Sequence, residues 1–424
     1  MQLMIPCPLT LPDRSLSLVE LESAVHAWGL AIQQAALALA WQAQAALRPS
    51  VPCPTCAAPE QQRAGTKARK VETRFGPVRL TRQRMRCQAC GRSFQPDDAA
   101  LTPLLGAGQC TPMLRELAAQ CGASWPYRQA AQVLALLRGT PLAVETVRQI
   151  VAETGRAVER QYADEARRAC QPPATVPPAV MASTRLEVIL DGAWIRCWDN
   201  AHGMEIKVGV VHTGSVACGA TRTRLVQRRY AATAWGITPF GPLVTAAIDH
   251  VGGFAATEQT LLGDGAAWIW RLGTEIVPAA TPVLDRWHLR DARRRATRAA
   301  VPDKTLRQPW SMRLEDALDV GDLPTALSVL GEMQHQHPHR ALGEFATYLC
   351  KHAVRIPNYA ARQEVGETIG SGAGEKGVDI VVNRRLKGRR GMRWWRVRAG
   401  GVVALRLAVL NDEWDHRLPD ALVA

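Results

Sequence analysis

The chain is short of acids. Against 52 Lys and Arg it has 38 Asp and Glu, leaving a formal charge of +14 and a pI near 9.7. That deficit points to a polyanionic partner, of which nucleic acid is the usual one; the bland alternative is a solvated basic surface. A long unbroken apolar run is also missing. The most apolar stretch, 24–47, is interrupted by His26, Gln33, Gln34, Gln42 and Gln44, so it reads as an amphipathic helix and not a membrane span. No cationic segment precedes an apolar core between Met1 and Pro12, so no signal peptide is expected and a soluble cytoplasmic protein is. Nor is there a disulfide framework. The 11 cysteines are odd in number and scattered apart from two tight pairs, which fits a reducing compartment and a metal site. The apolar content of 47% excludes a disordered chain, and 424 residues predict two or three domains.

Leu and Ala recurring at helical spacing predict one helix over 15–47, with Asp13 or Ser15 as its cap, inside an N-terminal segment 1–50. The two cysteine pairs are Cys53-Pro54-Thr55-Cys56 and Cys87-Gln88-Ala89-Cys90. Four thiolates in two C-x-x-C turns suit a tetrahedral, closed and therefore structural Zn²⁺ site. Between them, 70–75 and 78–86 alternate like a β-hairpin with Gly76-Pro77 at its tip, so 51–100 reads as a zinc ribbon. Residues 63–92 hold ten Lys and Arg and one acid, Glu72, which makes Arg82 and Arg84 candidates for contact with a DNA backbone. Residues 101–170 turn helical, at 113–121, 127–137 and 143–168. A short turn containing Gly139 fits a helix-turn-helix with Arg148 near the start of its second helix. The alternative is a plain helical spacer. The Pro-rich stretch 171–184 marks a stiff linker.

From 185 onward the pattern is strands first, then strands alternating with helices, a mixed α/β layer. Strands are expected at 185–190, 204–212, 223–231, 259–263 and 281–285, with helices at 243–253, 266–272, 290–298 and 402–410. Asp191 and Asp264 each end an apolar strand just before a glycine. Two carboxylates at neighbouring strand ends repel unless a cation lies between them, which invites Mg²⁺ or Mn²⁺. Asp-Gly is also a common turn at a strand end, so either residue alone says little. A third acid is Glu375, which precedes eight Lys and Arg between 384 and 398, with no acid in that window. A salt-bridged surface Glu is its plain alternative. Glu364 and Glu367 lie nearby in sequence, and Asp249 competes with Asp264.

The motifs 190–192, 205–209, 263–269, 284–288, 370–375, 385–388 and 391–394, taken in order, resemble those of prokaryotic insertion-sequence DDE transposases of the Kra type, distant relatives of the Mutator group. The zinc ribbon and helical segment are similar to that family too, so the resemblance covers most of the chain. It implies an RNase H-like mixed-sheet catalytic core over 185–424, with a helical insertion at about 287–361. It carries the catalytic triad onto Asp191, Asp264 and Glu375, which would hold two Mg²⁺ or Mn²⁺. It likens Asp285 and His288 to a C/D-x-x-H element supporting the active site, although a packed His at a strand-to-helix turn reads equally well. One position departs: the family usually has a β-branched residue before the Glu, where this chain has Gly374.

The expectation is a DNA transposase that binds element ends, frees a 3′-hydroxyl and joins it to target DNA. It would act as a dimer or larger assembly at the nucleoid. Arg384, Arg385, Lys387, Arg389, Arg390 and Arg393 would grip phosphates beside the metals. Two other readings stay open: a DNA-binding protein without catalysis, and an RNase H-like nuclease without joining.

Overall fold

The computed structural model describes residues 4–5, 7–48, 50–171, 184–218, 223–388 and 391–423. The Pro-rich linker at 172–183 and the cations Arg389 and Arg390 lie outside the described residues. The chain is mixed α/β and forms two compact units. One comprises Met1–Glu159, Ala404–Ala408 and Asp412–Ala424; the other comprises Arg160–Val403 and Val409–Asn411. No helix among the described residues is long and apolar enough to cross a membrane.

The first unit begins with α1 (Leu18–Gln44). Its cap is Ser17, and not Asp13 or Ser15, because only Ser17 has a Glu three residues on. The Ser17 side chain accepts from the Glu20 N–H, and Glu20 reaches back to the Ser17 N–H. The hairpin β1 (Gln61–Thr73) and β2 (Gly76–Cys87) is longer than its alternation suggested. Gly76, at φ +100°, closes the turn from the left-handed region, and Pro77 already lies on the strand opposite Glu72. β3 (Ser93–Phe94) adds a third strand, and α2 (Asp98–Leu101) follows. Val71, Val78, Leu80 and Leu101 make the local core, covered by Leu37, Ala38 and Trp41 of α1. The helices α3 (Pro112–Ser124) and α4 (Tyr127–Arg138) fall where helical spacing put them, and α5 (Val144–Ala169) starts in this unit.

At the end of α4 the Arg138 guanidinium is fully buried. It donates to the Thr73 carbonyl at 2.8 Å and the Glu72 carboxylate at 2.6 Å, tying the helix to the hairpin. Gly139, left-handed at φ +66°, ends the helix there.

The second unit is built on a five-stranded sheet of β4 (Arg185–Ile195), β5 (Met204–His212), β8 (Arg229–Thr233), β9 (Glu258–Gly263) and β10 (Thr281–Leu284). Its order is β10-β9-β4-β5-β8. The pairs β4–β5 and β5–β8 are antiparallel; β4–β9 and β9–β10 are parallel. The strand expected at 223–231 is split. β6 (Ser215–Ala217) and β7 (Thr223–Leu225) form a separate ribbon, and Gln227 at φ +44° breaks the chain before β8 joins the sheet. α6 (Ile237–His250) and α7 (Ala267–Ile276) cover one face, where Gly209 meets Val244 and Phe240.

After β10 come α8 (Arg286–Ala300), α9 (Lys304–Asp319), α10 (Leu323–Gln336), α11 (Arg340–Lys351) and α12 (Tyr359–Glu364), a helical block where an insertion was expected. α13 (Gly372–Val378) then packs on the opposite face of β4 and β5. A π turn at Asp379–Asn383 leads into α14 (Arg384–Leu386), and α15 (Arg396–Leu410) and α16 (Trp414–Val423) follow.

The Glu72–Arg138 pair sets a stability test. Burial opposes the Glu72 charge, but the bonds from Arg138 and Lys70 hold its pKa below the usual carboxylate value. Its contribution is therefore full at neutral pH and is lost as pH falls through the depressed folded-state value. Glu72→Gln leaves a buried guanidinium without its counter-charge and is expected to cost about 2–3 kcal/mol in urea unfolding at pH 7. The deficit should shrink on acidification.

Candidate functional site

The four cysteines come together. Cys53 and Cys87 are buried, Cys56 and Cys90 exposed, and their sulfurs all lie within 4.8 Å of one another. Separations of 3.7 Å for Cys53–Cys90 and 3.5 Å for Cys56–Cys87 suit a tetrahedron with Zn–S bonds of about 2.3 Å. The two turns are built alike. Ala57 donates to the Cys53 carbonyl and Gly91 to that of Cys87, and both donors sit in the left-handed region. Backbone N–H groups of Thr55 and Cys56 pull the Cys53 thiol down to about 6, favouring the thiolate a metal needs. These residues could hold a zinc ion with no position left open.

A second site forms in the other unit, where the strand expected to stop at Asp191 runs on to Ile195, so that Asp191 lies within β4 and only Asp264 follows the end of its strand. The parallel register pairs Ile189 with Leu262, so Asp191 and Asp264, each two residues further on, end up side by side. Asp191 accepts from the Gly192 N–H at 2.6 Å, and Asp264 accepts from the Ala266 N–H at 2.9 Å where α7 begins. Burial pushes Asp191 up to about 6. The charges of Asp264 and Glu375 push the same way, and His288 opposes them. The three acids and His288 therefore share one electrostatic neighbourhood.

Glu375 reaches it because α13 lies unusually close to the sheet. A Cβ on Gly374 would stand 2.7 Å from Ile189 Cγ2, and one on Gly377 would stand 2.5 Å from Val210 Cγ2. Ile189 shares its strand face with Asp191, so the helix crosses the side on which that carboxylate projects. Gly374, which departed from the resembled motif, is what this packing requires. The sequence competitors lie elsewhere. Glu367 is paired with Arg362 at 2.8 Å, Glu364 is exposed on α12, and Asp249 is exposed at the end of α6.

Asp285 ties these pieces together. It is 1% exposed and caps α8. Oδ1 accepts from Trp287 N–H and Ser371 N–H, both at 3.1 Å, while Oδ2 accepts from the Ser371 hydroxyl at 2.9 Å and bonds His288 Nδ1. Despite burial, the bond to His288 and those from Ser371 hold its pKa low, and the same bond raises that of His288. The donor atoms of Asp285, His288 and Glu375 lie within 4.8 Å of one another and could hold a metal ion. Yet a carboxylate has about four acceptor positions, and Asp285 uses all four within the protein. It is better suited to orient His288 and the start of α13 than to bind a cation.

The helical block adds residues that carried no motif. Tyr348 Oη and His352 Cε1 lie 3.3 and 3.4 Å from where a Cβ on Gly265 would stand, so α11 covers the Asp264 turn. Burial, then Asp264 and Asp285, push Tyr348 up to about 12; burial drives His352 down to about 4. Ser371 was part of a recognisable motif but had no assigned role. Its closeness to Asp285, 86 residues away, is set by tertiary structure alone.

The basic candidates divide. Arg84, Lys387 and Arg393 are exposed, with Arg393 over the Trp198 ring at 5.1 Å. Arg384 is exposed but paired with Asp379 at 2.9 Å, and Arg148 pairs with Glu145. Arg82 is 6% exposed and bound to Asp98, and Arg385 is 1% exposed with its guanidinium 4.9 Å from the Trp394 ring. These last two correct the expectation of a surface cation: both are interior, where a phosphate backbone does not reach.

A family model described as "Uncharacterised protein family (UPF0236)" matches residues 61–410. No curated protein matches the chain.

Two outcomes follow from this geometry. Gly374→Val forces overpacking against Ile189 and should cost about 1–3 kcal/mol in urea unfolding. Purified protein should contain about one zinc per chain by elemental analysis, and Cys53→Ser, which removes one of four ligands, should lose it.

Proposed function

The chain belongs to the UPF0236 family, and we propose that it is an insertion-sequence DNA transposase. It would bind the ends of its element, hydrolyse a phosphodiester to free a 3′-hydroxyl, and join that hydroxyl to target DNA. The observation that carries this reading is the position of three acids around one sheet. Asp191 lies within β4, Asp264 follows the end of the adjacent parallel strand β9, and Glu375 sits on the helix packed against the same face of β4. The strand order, three antiparallel strands followed by two parallel ones, supports an RNase H-like core.

Asp191, Asp264 and Glu375 would hold two Mg²⁺ or Mn²⁺ ions. Such ions supply Lewis-acid activation of the attacking oxygen and neutralisation of the leaving one. The protein's own groups prepare the site. The desolvation that raises Asp191 makes an unneutralised trio of acids costly, which favours cation uptake. Asp285 fixes the His288 ring through Nδ1, leaving Nε2 as its second nitrogen for the active-site wall. Lys387 and Arg393 on the exposed segment would contact DNA phosphates, as would Arg84 on the hairpin. Synapsis of two ends implies a dimer or larger assembly, and the work would be done at the nucleoid.

The test is strand cleavage and joining by the full chain on DNA carrying the terminal repeats that flank its coding region, with Mg²⁺ or Mn²⁺. Asp191→Asn should lower both steps by several kcal/mol, on the order of a thousandfold. Undiminished metal-dependent joining by that variant sinks the assignment. Tight end binding without metal-dependent cleavage would instead favour a DNA-binding protein, and nicked products that are never joined would favour a nuclease.

A further inference from the structure

A cavity of about 470 Å³ opens between α8 and α9, and none of Asp191, Asp264 and Glu375 lines it. Ten residues line it, of which five are cations (Arg293, Arg294, Arg298, Lys304 and Arg307) and one, Glu315, is an acid. That acid is already used: one oxygen binds Arg290 and the other accepts from Arg293 Nη2 at 2.9 Å. Arg294, Arg298 and Lys304 are exposed and have no acidic partner among the described residues. On an ordinary solvated helix face, basic and acidic residues alternate, as Arg340 and Glu344 do on α11.

The floor of the groove is built. Arg293 is 3% exposed. Its Nη1 donates to the Ser311 carbonyl and its Nη2 to Glu315, yet its Nε, also buried, has no hydrogen-bond partner. The Arg293 guanidinium lies too deep for a phosphate to reach, but its charge adds to the field of the exposed cations above it. Two long arginines on successive turns of α8, with Lys304 at the start of α9, would flank an anion placed over Arg293.

We infer that the α8–α9 groove is a phosphate-binding track for nucleic-acid backbone, separate from the carboxylate site and from the 384–398 segment. Its ligand is a run of phosphodiesters contacted without regard to base sequence. It shares the DNA partner of the proposed function, but its test involves no catalysis.

Binding of the full chain to a labelled duplex of arbitrary sequence is measured by anisotropy across a salt series, without divalent ions. Each phosphate contact contributes about 0.9 to the slope of log K against log salt. Arg294→Ala with Arg298→Ala should therefore reduce the slope by about 1.8 and weaken binding at low salt by at least tenfold. The unfolding midpoint should hold, because neither side chain is buried or paired. Arg340→Ala, an exposed cation on α11, should leave the slope unchanged. An unchanged slope in the double variant overturns the inference. So does weaker tripolyphosphate binding with DNA binding intact, which would mark a small-anion pocket. Asp191→Asn should keep the full slope, so loss of joining in that variant and loss of this track are read separately.

Discussion

Everything at the carboxylate site depends on how near one short helix can come to a sheet. Gly374 and Gly377 are three residues apart and share a face of α13. With no side chains there, the helix descends onto Ile189 and Val210, and Glu375, next to the contact line, is carried to the level of Asp191. Glycine inside a helix costs roughly 0.5–1 kcal/mol relative to alanine. The sheet contact and the tie at Ser371 offset that cost. A β-branched residue at 374 would suit the helix backbone better than glycine but would hold the helix off the strand.

The same helix is anchored at its start by Asp285, and this explains why a buried carboxylate stays ionised while Asp191 nearby is pushed upward. Asp285 lies deep but receives two N–H groups, a hydroxyl and an imidazole. Asp191 keeps more exposed surface but receives one short backbone bond and faces two other acids. Hydrogen bonding outweighs desolvation in the first case, and desolvation plus like charge wins in the second. One acid is spent on architecture, and the other holds its charge less readily.

Local signals were legible where the chemistry is local. The two C-x-x-C turns and the β5 strand could be read directly, because thiolate spacing and a continuous apolar run need no knowledge of the rest of the chain. Asp264 was legible as a strand-end acid, whereas the Asp-Gly read as the end of β4 at Asp191 lies inside a strand that continues to Ile195. The burial of Arg82 and Arg385 was not, because a basic residue in a basic stretch looks the same in sequence whether it meets Asp98 or solvent. Tyr348 and His352 were hidden for another reason. They lie on and just past the end of an amphipathic helix whose pattern shows which face is apolar but not which turn it covers. Gly374 looked like a departure because a motif records side chains, whereas the constraint here is the absence of one.

The shortage of acids takes a specific structural form. Several acids serve two cations each: Asp98 binds Arg69 and Arg82, Glu72 binds Lys70 and Arg138, Glu315 binds Arg290 and Arg293, and Asp379 meets Lys376 and Arg384. In the first three sets an arginine is buried, so the acid is committed to the interior and contributes little to neutralising the surface. The formal charge of +14 is consequently not spread evenly. It accumulates on exposed cations that no acid is left to meet, Arg294, Arg298 and Lys304 among them. These exposed cations are the ones that the proposed nucleic-acid partner would meet.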